Sequence, residues 1–511
     1  MKICMIAEGC YPYVVGGVSG WMQMMMSGLS QYEFEVYAIG VDSAQRGQFQ
    51  YPFPENLTTV HETFMLELRQ SMKKAKPRRF PKEQALPLRK MVCSDLDTPW
   101  DQIYHIVQRE DFDCRDYLGS YDFFDAAKER YIREKLSIGF SDYLWTMRSM
   151  YLPLFSVLAR EIPKADVYHA VAAGYAGMVG ALGSMVYGKP FILSEHGIYT
   201  REREEELIRS KWTKGYFKEM WIRHFYAMSL FAYRQANEVV SLFEKNAQVE
   251  RDLGCPEEKI KIIANGVAPE DFLSAAVKER EPDDLIHVGA VVRVTPIKDI
   301  KTMLAAFREV QNKVPEARFH ILGPCDEDPD YYQECLALMK QLKLEHCEMP
   351  GRVNVRDYLP NMDILVLTSI SEGQPLSILE GMLYRKPWVS TNVGSCGELL
   401  EGMSDDTLGS AGLIAPIMDV TRIAEGIVKL ARDPMLRAEM GEVGYRRVTE
   451  QYRKADMFEK YTAIYESMKS KKGQRALQPE IQQEAEHAAE KTKQRRKRKQ
   501  WKKPKRPKAS V

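Results

Sequence analysis

S-I-S-E-G-Q-P-L-S-I-L-E, residues 369–380, follows the apolar run D-I-L-V-L-T at 363–368. That run has strand character. Pro375 suits the first turn of a helix, where its missing N–H costs nothing and its φ is already helical. The order is strand, glycine-containing turn, helix. The open N–H groups at such a helix start form an anion site. Glu372 lies in the turn and Glu380 about two turns into the helix. At ~3.6 residues per turn the two are ~80° apart in projection, roughly on one side. A phosphate on the turn amides, with hydroxyls on either side accepted by the two carboxylates, describes a nucleotide sugar. Taken alone, E-x7-E is more simply a capping Glu372 and a solvated Glu380, so the rest of the chain has to decide.

At 511 residues the chain is too long for one core and implies two or three domains. A 45% hydrophobic share with 28% charge is that of a soluble globular protein. No run approaches the ~20 apolar residues of a membrane span. The first eight residues, M-K-I-C-M-I-A-E, are too soon interrupted by charge for a signal peptide and read as a first strand. Nine cysteines, scattered and without a C-x-x-C, favour reduced thiols in the cytoplasm over disulfides or a metal site. The net charge of +1 conceals an asymmetry. Residues 491–511 hold twelve Lys or Arg and no acid, so the remaining 60 basic residues face 71 acidic ones, a body at −11.

The α/β rhythm starts with a strand at 2–7, a loop holding Gly16 and Gly17, and a helix from about Ser19 with Trp21, Met22, Met25 and Leu29 on its apolar side. A strand at 34–40 completes the unit. Paired glycines between strand and helix let backbone amides approach a ligand closely; a tight turn is the alternative. Residues 42–160 break the rhythm. They are rich in charge and aromatics and read as an insertion, mostly helical after about 100, with no legible chemistry. The basic cluster at 73–82 reads as a solvated loop. Strand–helix–strand resumes over 165–197 and ends in Glu195-His196-Gly197. Ligands of doubly wound sheets bind beyond the carboxyl ends of strands. There His196 can hydrogen-bond a sugar hydroxyl or a transferring group, a packed histidine being the alternative. Arg201 and Arg203 stand within reach of a phosphate or in i,i+4 pairs such as Arg201–Glu205. Strand-like runs at 237–243 and 259–267 precede a charged linker at 273–284.

A second α/β rhythm begins with the strand at 285–288. Arg293 and Lys298, five apart across a turn with Pro296, place a planar fork and a point charge where a diphosphate could be neutralised. A strand at 318–324, a helix at 331–342, the segment 349–359, the opening loop and a strand with a glycine turn at 386–399 follow. Helices at 420–432 and from about 436 to 469 close the folded part. Residues 470–511 are disordered and basic by composition. This tail suits an anionic membrane surface at ~1 kcal/mol per charge, RNA or an acidic partner, or solubilisation alone.

Two doubly wound halves, one with Gly-Gly at its first strand end and the other with Arg…Lys and E-x7-E, resemble the GT-B glycosyltransferases. The second half is similar to the retaining glycosyltransferases of family 4. The matching elements are N-G-V (265–267), V-x-R-x-x-P-x-K-D (291–299), G-R-V (351–353), S-E-G-Q-P-L-S-I-L-E-G-M (371–382) and V-G-x-x-G-E-L (393–399), five in order. The first half resembles the PelF-type branch through E-G-C-Y-P-Y-V-V-G-G-V-S-G-W (8–21), S-E-H-G-I-Y-T-R-E-R (194–203) and its long insertion.

The resemblance implies an α/β fold of two Rossmann-like domains facing a cleft. Residues 1–272 would form the acceptor side, with an insertion at about 42–160. Residues 285–435 would bind the nucleotide sugar, 436–469 would pack back on the first domain, and 470–511 would be the tail. It implies a hexose moved with retention from a UDP-sugar, UDP-glucose in PelF-type enzymes, to a growing polysaccharide or glycolipid. No cofactor or metal is expected. The setting would be the cytoplasm or the inner face of the membrane, beside inner-membrane polysaccharide synthase and export proteins. Residue by residue, Arg293 and Lys298 would hold the donor diphosphate as the leaving group departs. Glu380 would bind the ribose. Glu372 would touch the donor sugar, with the amides of Gly373, Gln374, Pro375 and Leu376 around sugar and phosphate (Pro375 by position only, having no N–H). Arg352 and Val353 would lie near the base. His196 would face the sugar from the first domain, and Gly16 and Gly17 would approach phosphate or acceptor. With departure and attack on one face, Glu372 would position the sugar rather than bond to it, unlike the nucleophile of a retaining hydrolase. Two other readings stand beside this one: a sugar-nucleotide epimerase on the same fold, and a non-catalytic nucleotide-sugar-binding scaffold of an export complex. A nucleic-acid protein driven by the tail fits poorly with the acidic body.

Overall fold

The structure, a computed structural model, describes residues 1–70, 78–93, 98–210, 215–273, 283–403 and 405–473. The chain forms two compact units. The first comprises Met1–Ser241, Ala247–Lys261 and the chain's end from Ile464; the second comprises Leu242–Asn246 and Ile262–Ala463.

The first unit holds a seven-stranded parallel sheet: β1 (Lys2–Glu8), β2 (Glu33–Gly40), β3 (Leu57–Phe64), β4 (Val167–Ala170), β5 (Phe191–Glu195), β6 (Glu238–Ser241) and β7 (Ile260–Ile262). Their order is β3-β2-β1-β4-β5-β6-β7, so winding reverses between β1 and β4. Ile3, Cys4, Met5, Ile6 and Ala7 are all fully buried, as a central parallel strand with both faces covered requires. β3 corrects the boundary of the insertion. It falls within 42–160 but pairs with β2 from Phe34 to Gly40, so the insertion proper follows Phe64. Leu57–Phe64 reads L-T-T-V-H-E-T-F because it is an edge strand, half-exposed along most of its length, and edges are kept polar. The insertion supplies helices Lys82–Cys93, Trp100–Val107, Tyr121–Arg133 and Phe140–Leu158, whose apolar sides join the core of this sheet. Of the basic stretch 73–82 only 78–82 are described; there Arg79 pairs with Asp122 and Asp125.

The second unit is a six-stranded parallel sheet: β8 (Ile286–Val291), β9 (Ala317–Leu322), β10 (Cys347–Gly351), β11 (Ile364–Leu367), β12 (Trp388–Thr391) and β13 (Gly412–Ala415). The order β10-β9-β8-β11-β12-β13 is that of a Rossmann sheet, with its switch between β8 and β11. Its core is separate from that of the first unit. Arg447, fully buried on the helix Pro434–Gln451, pairs with Asp406 at 2.7 Å and donates to the carbonyls of Leu399, Leu400 and Gly409. It thereby closes the end of the helix Cys396–Glu401.

The stretch 436–469, expected as one helix, is two: Pro434–Gln451 and Lys454–Met468. Between them the chain is extended and pairs with Val267, whose N–H donates to the Tyr452 carbonyl and whose carbonyl accepts from Lys454. The carbonyl oxygen of Arg453 would stand 2.5 Å from any Cβ at position 266, so Gly266 is what allows this crossing. The last helix begins in the second unit and its final turn belongs to the first. There the Tyr465 hydroxyl lies 2.7 Å from Nδ1 of buried His169, whose Nε2 lies 2.7 Å from Ser194 Oγ. The tail beyond residue 473 lies outside the described residues. None of the nine cysteines is paired with another. Among the described residues no helix is long and apolar enough to cross a membrane.

Candidate functional site

In the second unit the loops leaving β8 and β11 meet at the switch point. The Thr368 hydroxyl donates to the carbonyls of Lys298 (3.0 Å) and Asp299 (3.2 Å), and the Ile370 N–H donates to the Ile297 carbonyl at 2.9 Å. These bonds fix the backbone on which Lys298 stands. Its ammonium donates to Glu372, and the Ser369 hydroxyl donates to the same carboxylate oxygen. The Lys298 and Glu372 side chains are 15% and 10% exposed, so the pair is largely shielded from water. Lys298, Glu372 and Gln374, singled out in the sequence, are thus drawn to one turn.

Two further segments hold that turn. Gln374 Oε1 accepts from the Asn265 N–H at 2.6 Å, which gives the N-G-V element its place. On the other side Gly394 has φ +53°, and a Cβ there would meet the carbonyl oxygens of Gly373 and Glu372 at 2.2 and 2.4 Å. Only glycine fits, and the Ser395 N–H then donates to the Gly373 carbonyl at 3.0 Å. The helix runs Leu376–Leu383 with Pro375 as its cap rather than within its first turn. Glu372 therefore precedes the helix, and the ~80° projection of Glu372 against Glu380 does not apply. Glu380 is on the helix, and burial pushes its carboxyl up to about 7 against the opposing charge of Arg356.

Arg356 escaped the sequence reading. It stands on the short helix Val355–Tyr358 just after G-R-V and stacks on the Phe272 ring at 4.7 Å. Its signal was a second arginine four residues beyond Arg352. Arg293 is 48% exposed and pairs with Glu327 at 2.7 Å. Arg352 is exposed and Val353 half-buried, following Gly351, whose carbonyl accepts from the Gly323 N–H at 3.0 Å. Among the described residues no group of three or more His, Cys, Asp or Glu is placed to hold a metal ion.

In the first unit the helix after β1 runs Gly17–Gly28, two residues ahead of the expected start, with Gly16 as its cap. The φ of Gly16 is −177°, open to any residue, and a Cβ at Gly16 or Gly17 meets nothing within 4 Å. Packing does not demand glycine at either position; the space over this helix start is open. His196 leaves β5 with its ring edge-to-face on Trp21 at 4.5 Å. Burial lowers its pKa to about 4, so the imidazole is neutral at pH 7, and its Nε2 is buried without a hydrogen-bond partner. Buried Glu195 anchors the loop, accepting from the Tyr199 N–H at 2.9 Å and from the Tyr233 hydroxyl. Burial raises its carboxyl; Glu250, fully buried on the helix Glu244–Asp252, is raised by burial and then by the charge of Glu195. Arg203 pairs with Glu206 at 3.0 Å and Arg209 with Glu205, rather than Arg201 with Glu205.

A cavity of about 270 Å³ opens where the winding of this sheet reverses. Glu8 at the end of β1, Ala172 after β4 and His196 after β5 line it, with Glu202 and Arg203 from the following helix. Glu8 accepts from the Tyr199 hydroxyl at 2.8 Å and the Ala176 N–H at 3.2 Å. Glu8 and Glu202 were not singled out from the sequence, although both stand within the quoted segments 8–21 and 194–203.

Comparison with known proteins gives two family matches. Residues 1–258, half of the chain, match the family described as "Domain of unknown function (DUF3492)", and residues 282–433 match "Glycosyl transferases group 1". Among curated relatives, the N-acetyl-alpha-D-glucosaminyl L-malate synthase of Bacillus anthracis is 27% identical over 183 residues, 35% of this chain and 44% of that protein. The alpha-D-kanosaminyltransferase of Streptomyces kanamyceticus is 25% identical over 58% of this chain and 75% of its own. The UDP-Gal:alpha-D-GlcNAc-diphosphoundecaprenol alpha-1,3-galactosyltransferase of Escherichia coli is 23% identical over 66% and 84%. The chain thus spans less than half the length of the first of these. Among solved structures, Anabaena Alr3699/HepE in complex with UDP and glucose superposes with a TM-score of 0.57 at 15% identity, over 91% of this chain and all of that one. Sucrose-phosphate synthase from Thermosynechococcus elongatus gives 0.57 at 14%, over 91% and 98%. These likenesses carry the fold: two Rossmann-like α/β units of the GT-B class.

Proposed function

The chain belongs to the DUF3492 family and carries a glycosyl transferases group 1 domain in its second half, and we propose that this GT-B-type glycosyltransferase retains configuration while moving a hexose from a UDP-sugar to a growing polysaccharide or glycolipid. The observation that carries the reading is the turn after β11. There a lysine, a carboxylate and a helix start without a side-chain cap converge at a Rossmann switch point, where phosphate ligands bind.

On this reading Lys298 and Arg293 take up the charge that develops on the departing diphosphate. Such preorganised charge is commonly the largest contribution to transition-state stabilisation. No metal is assigned a role. Glu380 accepts the ribose hydroxyls with Arg356 beside it, the base lies against 351–353, and Glu372 orients the sugar. The first unit supplies the acceptor side through Gly16, Gly17 and His196. UDP-glucose is the donor we infer, and a PelF-type exopolysaccharide pathway the setting. The cytoplasm is the compartment, with export proteins at the membrane as partners.

Thermal stabilisation by UDP, ADP, GDP, UDP-glucose, UDP-galactose and UDP-N-acetylglucosamine tests this. A ligand at 100 times its Kd adds about 2.7 kcal/mol. UDP and UDP-glucose should stabilise the protein and Lys298→Ala should lose the effect. Selective stabilisation by ADP or GDP would overturn the UDP and PelF-type assignment.

A further inference from the structure

We propose that the cavity at the β1/β4 switch of the first unit is a subsite for one uncharged sugar ring, and that its electrostatics turn phosphorylated sugars away. Its use for an acceptor rests on the glycosyl-transfer reading above; its ligand chemistry does not. At about 270 Å³ the cavity falls just below the ~300–1,000 Å³ of pockets for drug-sized ligands, which suits one ring rather than a chain.

The lining is two-sided. Val18, Met65 and Val171 offer an apolar wall for the C–H face of a ring, while Glu8, His196, Glu202 and Arg203 offer polar atoms. Two of those atoms are buried without a hydrogen-bond partner, Nε2 of His196 and Nε of Arg203. An ionised carboxylate only accepts hydrogen bonds and a guanidinium only donates them, whereas a sugar hydroxyl does both at once. A ring with hydroxyls that bridge Glu8 or Glu202 to Arg203, and another that meets His196 Nε2, satisfies these groups together.

Charge narrows the class. Two carboxylates face one guanidinium, and Arg203 already gives its Nη1 to Glu206 at 3.0 Å. Burial raises both carboxyls, and the imidazole in the wall is neutral, so the site holds no free positive charge to attract a phosphate, while any ionised carboxylate in it repels one. The carboxylate of Glu202 is pressed to the backbone: a Cβ on Gly197 would stand 2.1 Å from its Oε1.

Ligand-observed NMR on the full chain, titrated with glucose, galactose, N-acetylglucosamine and glucose 6-phosphate, with UDP binding followed in parallel, tests the proposal. At least one neutral sugar should saturate, and glucose 6-phosphate should bind at least roughly tenfold more weakly than glucose. Ala172→Leu, which fills the cavity, should abolish sugar binding and spare UDP. Glu8→Gln should weaken it, and because Glu8 also holds Tyr199, Glu202→Gln at a more exposed position provides the independent variant. Glu202→Lys should move the preference toward glucose 6-phosphate. Equal or tighter binding of glucose 6-phosphate by the unaltered protein overturns the proposal. So does UDP binding with no neutral sugar saturating at high millimolar concentration. Sugar binding without UDP binding would leave this subsite standing and remove the donor assignment instead.

Discussion

Lys298 and Glu372 form an ion pair in a turn largely shielded from water. Truncation to Lys298→Ala leaves a shielded carboxylate with the Ser369 hydroxyl as its remaining side-chain donor, and should cost about 1–3 kcal/mol of stability. If Lys298 also meets the diphosphate, kcat/KM should fall by about 10²–10³. Urea unfolding and steady-state kinetics on the same variant separate the two effects. Gly17→Ala makes the opposite prediction: with open space at the Cβ position, stability should hold while kcat/KM drops, because only a ligand needs that room. Glu380 adds a pH dependence. Its carboxyl is pushed up to about 7, and only the ionised form accepts two ribose hydroxyls. UDP affinity should rise as pH climbs toward 7, by up to about tenfold per unit, and level off above. Titration calorimetry on Glu380→Gln should give a flatter profile. At this scale the sequence singled out Lys298, Glu372 and Gln374 by their separate motifs, which the fold brings to one turn. It missed Arg356, Glu8 and Glu202, since a charged residue on a polar stretch carries no mark of what it will face.

Among the elements, legibility followed burial. Strands covered on both faces, such as Lys2–Glu8 and Ile364–Leu367, are continuous apolar runs and stood out. β3 did not, because an edge strand exposes one face and reads as polar. The helix Glu244–Asp252 reads E-K-N-A-Q-V-E-R-D, which looks solvated, yet Glu250 is fully buried near Glu195. Both carboxyls are raised in the fold, so the folded state holds protons that the unfolded chain gives up. Their linkage therefore lowers stability as pH rises from the ordinary carboxylate range toward the raised values, and restores it as pH falls. Glu250→Gln removes that penalty. Its melting temperature should exceed that of the unaltered protein at pH 8 and approach it at pH 5, as differential scanning fluorimetry would show.

Across the molecule, two hydrophobic cores with no residue in common account for the two units. Scanning calorimetry should resolve two transitions, and on the proposed function UDP should raise only one of them. The presence of two α/β units was legible because the rhythm stops and restarts, but their boundary was not: the units divide between Ser241 and Ile262, ahead of the charged linker expected at 273–284, of which 274–282 lie outside the described residues. The crossing at Val267 and Tyr452 was not, because side-chain periodicity reports faces within a segment and says nothing of a pairing nearly two hundred residues away.

Among the described residues, the first unit takes in the final turn of the helix Lys454–Met468, and this sets an order of events during synthesis. His169 leaves the ribosome 296 residues before Tyr465, the hydroxyl that closes over it. At ~5–20 residues per second the wait is about 15–60 s. Through that interval the opening half of the protein is translated but unsealed, its buried imidazole short of one partner, while the second unit is made and can fold. Chains released before Ile464 should accumulate as protease-sensitive species whose second sheet is intact. The turn that carries Tyr465 therefore joins the first unit only after the whole second unit has been made.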